Sequence, residues 1–494
     1  MTKSVILIGG GVAGLCTGSY ASANGYTPII FEANSTPGGL CTAWPKDGYT
    51  IDFCLHWLTG AAGANYDLYQ DWKFLGVIDQ LEYIFPTDFT RFIGINGQEL
   101  ALGTNLEKLE RDLLALAPED AREIKQMMRA IRGFAKYDLG LEIPKNWFRK
   151  LVCAGKMVPI LTHLMRYSKL TQAEFGAQFK NPFLAQAFGS SWDPKISAII
   201  ILLLLAWGSK GIFGYPIGGS GAFARALEKR YLELGGAIHY NTPVHRILVD
   251  NNHAVGVELA NGDKHYADYV ISAADGHETV FELLDGAYVD QETHTRYREW
   301  PIMGPLLFIA YGINKTFPGL PAQLSTTCIQ IPTIKIGDRE QEWLQVKIYT
   351  HDPTLAPAGK TLVTVLLESE YDFWEALSHD KVQYQSTKEQ IARQVAELID
   401  RTYPGFSAHI DMTEIVTPTT IHHWTHNWQG SYEGWLPTPS ILLTPIKKTL
   451  PGLENFYMVG HWVQPGGGLP SCAMTAKEVV RMICTRDNKR FTGS

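Results

Sequence analysis

The sequence has no excess of basic residues. It contains 43 lysines and arginines against 50 aspartates and glutamates, which gives a formal net charge of −7 over 494 residues. A protein that binds nucleic acid needs a basic surface that neutralises phosphates. The composition therefore argues against a general function in nucleic-acid binding.

Cysteine is scarce and scattered, with seven residues and no Cys-x-x-Cys pair. An odd number of dispersed cysteines argues against a disulfide framework and against a zinc site built from thiolates. We therefore expect reduced thiols and a cytoplasmic location.

Long apolar runs are also missing. The longest one, Ile196 to Trp207, is interrupted by Ser197 and is shorter than the roughly 20 residues that span a bilayer. This run predicts a helix buried in the core or the wall of a pocket. The apolar N-terminus lacks the cleavage region of a signal peptide, so we expect no such peptide.

The strongest positive signal lies at the start of the chain. A buried strand is predicted at 4–8, a glycine-rich turn follows at 9–14, and a helical pattern leads to a second strand at 27–31. Glu32 ends that strand. This order of elements is the fingerprint of a dinucleotide-binding unit.

Three glycines of the turn have separate roles in such a unit. Gly9 permits the tight turn, Gly11 lets the backbone approach a pyrophosphate, and Gly14 lets the helix pack closely on the strand. The helix N-terminus offers unpaired N–H groups and partial positive charge to the phosphates. Glu32 lies where the carboxylate that binds the ribose hydroxyls is expected. We therefore predict a nucleotide site; the alternative is an ordinary tight turn.

Two further glycine-rich segments follow the fingerprint. Gly38-Gly39, shortly after Glu32, predicts a loop pressed against a ligand, where a Cβ atom would collide. A second loop at 464–470 lies between a predicted strand at 455–460 and a predicted final helix at 471–483. Both loops are candidates for ligand contacts.

The remaining pattern predicts two domains. Residues 65–207 are mainly helical in pattern, apart from a strand pair near 89–102, and a helix is predicted at 388–401. Several strand patterns lie between 282 and 439. The predicted nucleotide-binding domain is discontinuous and the second domain is α+β, with the boundaries 1–60, 211–290 and 440–494 for the first and 61–210 and 291–439 for the second.

A basic amphipathic stretch runs from 151 to 188. Such a stretch is typical of a helix on a membrane surface, and equally of a solvated helix face over a core. Both interpretations stay open for the helical part near 150–207. The basic residues in and just before it are Arg149, Lys150, Lys156, Arg166, Lys169 and Lys180.

Three histidines, His422, His423 and His426, lie close together in the second domain. The i, i+4 spacing of His422 and His426 suits a helix, but Trp424 and the flanking prolines favour loop and strand. We expect no metal site at these histidines.

Together these motifs resemble the flavin-dependent phytoene desaturase, carotenoid isomerase and retinol saturase family. The resemblance runs nearly end to end and rests on the order and spacing of its motifs. The isomerase and saturase branch looks closer, because of the segments 352–359 and 430–435. Besides the N-terminal fingerprint, the matching motifs are Pro37-Gly38-Gly39, Tyr215 through Gly221, Gly235-Gly236, Thr242-Pro243-Val244, Asp268 through Asp275, Asp352 through Gly359, Gly430 through Trp435, and Tyr457 through Pro470.

The resemblance implies an α/β fold with a Rossmann-type FAD-binding domain of the glutathione-reductase or amine-oxidase type. It places Val244 at the adenine, Gly460 just before the ribityl contact, and Gly468-Leu469 near the flavin pyrimidine edge. A helix opening after Pro470 would aim its N–H groups at that edge. The implied FAD contacts are Gly9, Gly11, Val12, Ala13, Gly14, Glu32, Ala33, Gly38, Gly39, Leu40, Val244, Gly460, Gly468 and Leu469.

The resemblance also implies an oxidoreductase that acts on C–C bonds of a polyene or isoprenoid, carotenoid-like or retinoid-like, in a tunnel between the domains. Desaturation, saturation and flavin-mediated cis–trans isomerisation all fit. No second complete fingerprint occurs, so the electron donor or acceptor is left open. His56 is a candidate proton donor because an ordinary histidine titrates near neutral pH; the alternative is a packed histidine bonded to backbone. Cys54 is either a reactive thiol or an inert buried one.

Two other functions share this fold. One is an amine-oxidase-like flavoenzyme, although Trp462 alone does not make an aromatic cage for an amine. The other is a non-enzymatic lipid-binding chaperone of prenylated small GTPases, in which the cofactor site has decayed. The intact phosphate loop and Glu32 argue against the chaperone.

Overall fold

The computed structural model describes residues 2–138, 155, 158–322 and 325–493. Its strands are β1 Ser4–Ile8, β2 Thr27–Phe31, β3 Ala43–Lys46, β4 Tyr49–Asp52, β5 Leu58–Thr59, β6 Tyr83–Ile84, β7 Asp88–Ile93, β8 Glu99–Gly103, β9 Phe213–Pro216, β10 Ala237–His239, β11 Val244–Asp250, β12 His253–Leu259, β13 Lys264–Tyr266, β14 Tyr269–Ser272, β15 Leu306–Ile313, β16 Thr327–Ile336, β17 Arg339–Ile348, β18 Thr361–Glu368, β19 Ile410–Val416 and β20 Phe456–Met458. Its α-helices are α1 Val12–Ala23, α2 Asp67–Phe74, α3 Val77–Gln80, α4 Leu106–Leu116, α5 Ala121–Lys136, α6 Leu161–Lys169, α7 Gln172–Gly176, α8 Pro182–Gly189, α9 Ile199–Gly208, α10 Gly219–Glu233, α11 Gln291–Glu299, α12 Tyr371–Ser378, α13 Lys381–Asp400, α14 Pro418–Thr425 and α15 Gly468–Arg486.

A five-stranded parallel sheet has the order β10-β2-β1-β14-β20. Its strands come from both ends and the middle of the sequence. Strand β1 is nearly all buried because both of its faces are covered, as is usual for parallel strands. The chain leaves β1 towards β2 on one side, and β14 pairs on the other. A ligand crevice is expected where the connections diverge, at the carboxyl ends of β1 and β14.

Helix α1 lies between this sheet, α10 and α15. Residues 12–21 of the helix are all buried, which explains why small and apolar residues occupy every face. A methyl group on Gly18 would lie 2.5 Å from the Tyr231 ring of α10, so only glycine fits there. The Tyr231 hydroxyl donates to the Pro28 carbonyl at 2.8 Å and ties α10 to β2.

The second sheet has seven strands in the order β19-β15-β18-β17-β16-β7-β8. The predicted strand pair near 89–102 forms its far edge, where β7 pairs parallel with β16. Helix α13 begins at Lys381, before the predicted start at Lys388, because Asp380 accepts hydrogen bonds from the first-turn amides of Val382 and Gln383 at 3.0 Å.

Most of the apolar run at 196–207 forms helix α9, which is buried on one side and lines a cavity on the other, as predicted. Within the part of the chain that the structure describes, no helix is long and apolar enough to cross a membrane. The parallel sheet, the mixed sheet and the helices confirm the predicted α/β fold class. The boundaries of the two predicted domains stay a prediction.

Candidate functional site

A cavity of about 940 Å³ lies at the carboxyl ends of β1 and β14. Its wall includes Gly9, which follows β1, and Ala273 and Ala274, which follow β14. The position is the one where a doubly wound sheet binds its ligand, and the volume lies within the roughly 300–1,000 Å³ of small-molecule sites.

The structure brings the predicted cofactor contacts together around this cavity. Gly14 is the exception, because it lies behind the wall, in contact with the turn after β1. The predicted residues that line the cavity are Gly9, Gly11, Val12, Ala13, Glu32, Ala33, Gly38, Gly39, Leu40, His56, Val244, Gly460, Gly468 and Leu469.

The glycine turn is closed by tight backbone contacts. A methyl group on Gly14 would lie 2.0 Å from the carbonyl oxygen of Gly9, so the first turn of α1 sits directly on the end of β1. The amide of Gly38 donates to the Gly10 carbonyl at 3.0 Å and holds the second glycine loop against the first. Gly11 itself has open space around it, with the nearest atoms 3.9 Å from a methyl group. A pyrophosphate fits this backbone cradle.

Glu32 is buried and its carboxylate is fixed by two backbone amides. Gly10 donates to Oε2 at 2.5 Å and Asn34 donates to Oε1 at 2.8 Å. These bonds aim the carboxylate into the cavity beside the glycine turn. The arrangement fits the ribose of a dinucleotide.

The C-terminal loop supplies a second helix N-terminus. Helix α15 begins at Gly468, so the predicted start at Ser471 is wrong. Pro470 is tolerated in the first turn because no intrahelical acceptor exists there for the N–H that proline lacks. The amides of Gly468 and Leu469 therefore belong to a helix start on the cavity wall. Together with the N-terminus of α1, this start gives two places that favour negative charge.

The turn after β4 carries His56 and is held from behind. Asp52 accepts from the Tyr215 hydroxyl at 2.9 Å and bonds the Ser220 hydroxyl, which accepts from the Leu55 amide at 2.8 Å. Lys347 of β17 donates to the His56 carbonyl at 3.1 Å. All of these supporting side chains are buried, and none of them was predicted from the sequence as a site residue.

His56 lines the cavity, but its expected near-neutral pKa is wrong. Burial, with the nearby Lys347 charge as a smaller cause, lowers the pKa of His56 to about 3. Its Nδ1 is buried without a hydrogen-bond partner. The alternative of a packed histidine that is hydrogen-bonded to backbone therefore finds no support at this atom. A neutral imidazole with a free nitrogen is left at the cavity.

The six cysteines in the described ranges are free thiols, and Cys153 lies outside those ranges. Cys54 is half-buried on the cavity wall, and Cys41 lies beside it. A hydrogen bond with Cys54 and burial raise the pKa of the Cys41 thiol well above its ordinary value. Cys41 is therefore a poor nucleophile.

The three C-terminal histidines differ from expectation. His422 and His423 lie on helix α14, so the predicted loop and strand are wrong. Pro418 occupies the first helical position and Thr417 caps the helix. A proline at this position favours the start of a helix, because its missing N–H would have no acceptor there. His422 contacts the Asn427 carbonyl at 3.0 Å, and His426 lies 3.6 Å from Glu278. Among the described residues, no cluster of His, Cys, Asp or Glu has the arrangement of a metal site.

The cavity continues from the cradle into an apolar region. Helix α9 contributes Ile200, Leu204 and Trp207, and the segment before β15 contributes Met303. A partly exposed ion pair also lies on the cavity wall, where Arg339 donates to Glu368 at 2.9 Å. The cavity therefore has two connected regions, a cradle at the glycine turn and an apolar channel along α9.

The parallel sheet, the two helix N-termini and the buried Glu32 carboxylate are the features of a dinucleotide-binding α/β protein. The chain belongs to the flavin containing amine oxidoreductase family, whose model matches residues 12–484. The expected FAD cofactor is thereby confirmed.

Relatives support the predicted resemblance over nearly the whole chain. A chloroplastic prolycopene isomerase of Arabidopsis thaliana is 25% identical over 501 residues, covering 95% of this chain and 80% of that protein. A lycopene-forming phytoene desaturase of Pseudescherichia vulneris is 23% identical over 517 residues, covering 97% and 99%. The resemblance to this group of flavoenzymes is therefore confirmed.

Solved structures share the fold. The cyclohexylamine oxidase of Brevibacterium oxydans superposes with a TM-score of 0.58 over 98% of this chain and 100% of that one, at 14% identity. At this identity the likeness concerns the fold alone.

Proposed function

We propose that this FAD-dependent oxidoreductase acts on C–C bonds of a hydrophobic polyene or isoprenoid, by desaturation, saturation or cis–trans isomerisation. The observation that carries the proposal is the single cavity that joins the glycine cradle to the apolar channel along α9. Full-length relatives whose names describe the desaturation and isomerisation of polyenes support the same substrate class.

Within this proposal, each part of the cavity has a task. The predicted contacts from Gly9 to Leu40 bind the dinucleotide, Val244 lies at the adenine, and Gly460 lies beside the ribityl chain. The start of α15, at Gly468, stabilises negative charge on the flavin. The bound flavin supplies hydride chemistry, while the apolar channel orients the substrate and excludes water.

His56 acts in this scheme as a neutral hydrogen-bonding group, since its lowered pKa leaves it uncharged at pH 7. The His56 side chain lines the cavity, and its Nδ1 is buried without a hydrogen-bond partner. A His56→Ala variant is expected to keep its FAD and to lose about tenfold in turnover, the effect of one hydrogen bond worth roughly 1.4 kcal/mol. Full turnover in that variant would remove the assigned role.

The test of the proposed function follows the flavin spectrum without oxygen. The purified holoprotein is reduced with dithionite and then mixed with a polyene, a retinoid, a quinone or oxygen. We expect the polyene or retinoid either to reoxidise the flavin or to isomerise while it stays reduced. Reduction of the oxidised protein by a diamine would instead favour amine oxidation, and a colourless protein that refuses FAD would favour the lipid-binding chaperone.

We also infer peripheral membrane contact through the start of α6. Val158, Leu161 and Met165 are 68%, 42% and 47% exposed and are spaced as one helical face. The basic residues Arg149, Lys150 and Lys156 lie outside the described residues. Arg166 is engaged, because it donates to Glu123 at 3.1 Å and to Gln178 at 2.6 Å. The apolar face is therefore the better target for mutation.

The membrane proposal is tested by co-sedimentation with anionic liposomes. Replacing Val158, Leu161 and Met165 by serine is expected to release the protein to the supernatant. Serine at Leu232 and Val382, which are also exposed large apolar residues, is the matched control. Unchanged sedimentation of the triple variant would contradict the proposal. The cytoplasmic location stays a prediction.

A further inference from the structure

Glu433 lies where the cradle meets the apolar channel. Its side chain lines the cavity, and a methyl group on Gly468 would lie 3.6 Å from its Oε1. Its carbonyl oxygen packs on Gly467, where a methyl group would come within 2.3 Å. The segment 431–434 is fixed from behind, because the Ser431 hydroxyl donates to the Met303 carbonyl at 3.0 Å. Glu433 is therefore held beside the first turn of α15.

The carboxylate of Glu433 has no partner of its own. Across the described ranges of the chain, neither a hydrogen bond nor an ion pair reaches its oxygens. Met303 and Leu436 pack nearby with Tyr432 at the same wall. An unpaired carboxylate in apolar surroundings favours its protonated form, and burial raises the pKa of Glu433 to about 7.

The titratable groups that face Glu433 do not replace it. His461 lies across Gly434, and burial lowers its pKa to about 4, so the ring is neutral. Cys472 is nearby, and burial raises the pKa of its thiol to about 12. Tyr432, next along the chain, also has a pKa well above its ordinary value because of burial. None of these three groups gains or loses a proton near pH 7, so none of them can serve as the acid and base in place of Glu433.

A second carboxyl on the cavity wall, Asp275, provides the contrast. Burial raises its pKa to about 7 as well. Its oxygens, however, accept hydrogen bonds from the amides of Trp428 at 2.9 Å and Glu278 at 2.8 Å. Asp275 thus supports a loop, whereas Glu433 faces the cavity with its oxygens free.

We propose that Glu433 is the catalytic acid and base of this cavity, the residue that gives a proton to a substrate carbon and takes one back. The proposal rests on the proposed function. In the saturating direction the carboxyl O–H bond breaks and a C–H bond forms at one carbon, while the neighbouring carbon receives hydride from the reduced flavin. The product is the saturated bond, oxidised flavin and the Glu433 carboxylate. Desaturation runs the same transfers in reverse.

The proposal predicts exchange of hydrogen between solvent and substrate. A proton that passes through Glu433 equilibrates with water between turnovers, because a carboxyl proton exchanges rapidly with solvent when no substrate fills the channel. In D₂O the substrate carbon beside the one that receives hydride is therefore expected to gain deuterium. Mass spectrometry of the recovered polyene measures this gain.

The experiment compares Glu433→Gln and Glu433→Asp with Glu233→Gln, a control at an exposed ion pair of α10. We expect Glu433→Gln to keep its FAD and its dithionite reduction while deuterium gain and turnover fall about 100-fold or more. Glu433→Asp should recover part of both, and the control should match wild type. Infrared spectra of the holoprotein should show a protonated carboxyl band that disappears as the pH rises above 7 and that is missing in Glu433→Gln.

Each other result has a defined meaning. Wild-type deuterium gain in Glu433→Gln would overturn the acid–base role and leave the proposed function intact. Loss of FAD in that variant would also overturn it and make Glu433 a cofactor contact. A wild-type protein that binds FAD but converts no polyene would overturn both proposals together.

Discussion

The two ends of the cavity are built in different ways. The cradle end is made mainly of glycine backbone, with Gly9, Gly11 and the start of α15 at Gly468 on the cavity wall. The channel end is made of side chains, from Ile200 and Trp207 to Glu433. Backbone geometry permits few substitutions at the cradle end. Substitutions of side chains at the channel end can change the substrate specificity while the fold stays the same. Cofactor binding is therefore determined by the fold, whereas the choice of substrate is determined by the side chains of the individual protein.

The largest expected effect comes from breaking the backbone end at Gly14. In Gly14→Ala the new methyl group would lie 2.0 Å from the Gly9 carbonyl oxygen, which is a backbone atom and cannot rotate away. We expect a loss of at least about 3 kcal/mol in the free energy of unfolding, measured by denaturant titration, and loss of FAD as well. Near-wild-type stability would show that the turn can move and that the cradle is less rigid than its contacts imply.

A smaller and more selective effect is expected at Gly11. A methyl group there would have no atom closer than 3.9 Å, and the φ of −66° suits alanine. Gly11→Ala should therefore fold normally but crowd the pyrophosphate. We expect FAD affinity to fall about 100-fold, or about 2.7 kcal/mol, in a fluorescence titration. Unchanged affinity would place the pyrophosphate elsewhere.

The cradle could be predicted from the sequence because its signals are local. The strands at 4–8 and 27–31, the glycine turn and Glu32 are separated by short, regular intervals. Each residue's role follows from backbone sterics, which depend little on distant parts of the chain. The structure accordingly collects these residues at one cavity.

The channel end could not be predicted in the same way. Lys347 contacts the turn at His56 from nearly 300 residues away in the sequence. The contact between Glu433 and Gly468 likewise depends on tertiary structure, which sequence patterns do not reveal. The pKa of His56 moved from its expected value because burial is a tertiary property. The α14 helix was missed because Pro418 marks a start as well as a break.

The smallest effect is expected at Lys347, one of the buried side chains that support the turn at His56 behind the channel end of the cavity. Lys347 is 2% exposed, and burial lowers its pKa to about 7, partly countered by Asp52 and Asp352. Between pH 7 and 9 the unfolded chain binds more protons at this lysine than the folded one, so folding stability due to Lys347 rises with pH. Lys347→Met removes this dependence. We expect the free energy of unfolding of wild type minus that of Lys347→Met to rise by about 2 kcal/mol over this range, as measured in urea. A flat difference would mean that Lys347 stays charged and paired with Asp52, so that the turn at His56 is held by an ion pair and not by a neutral amine.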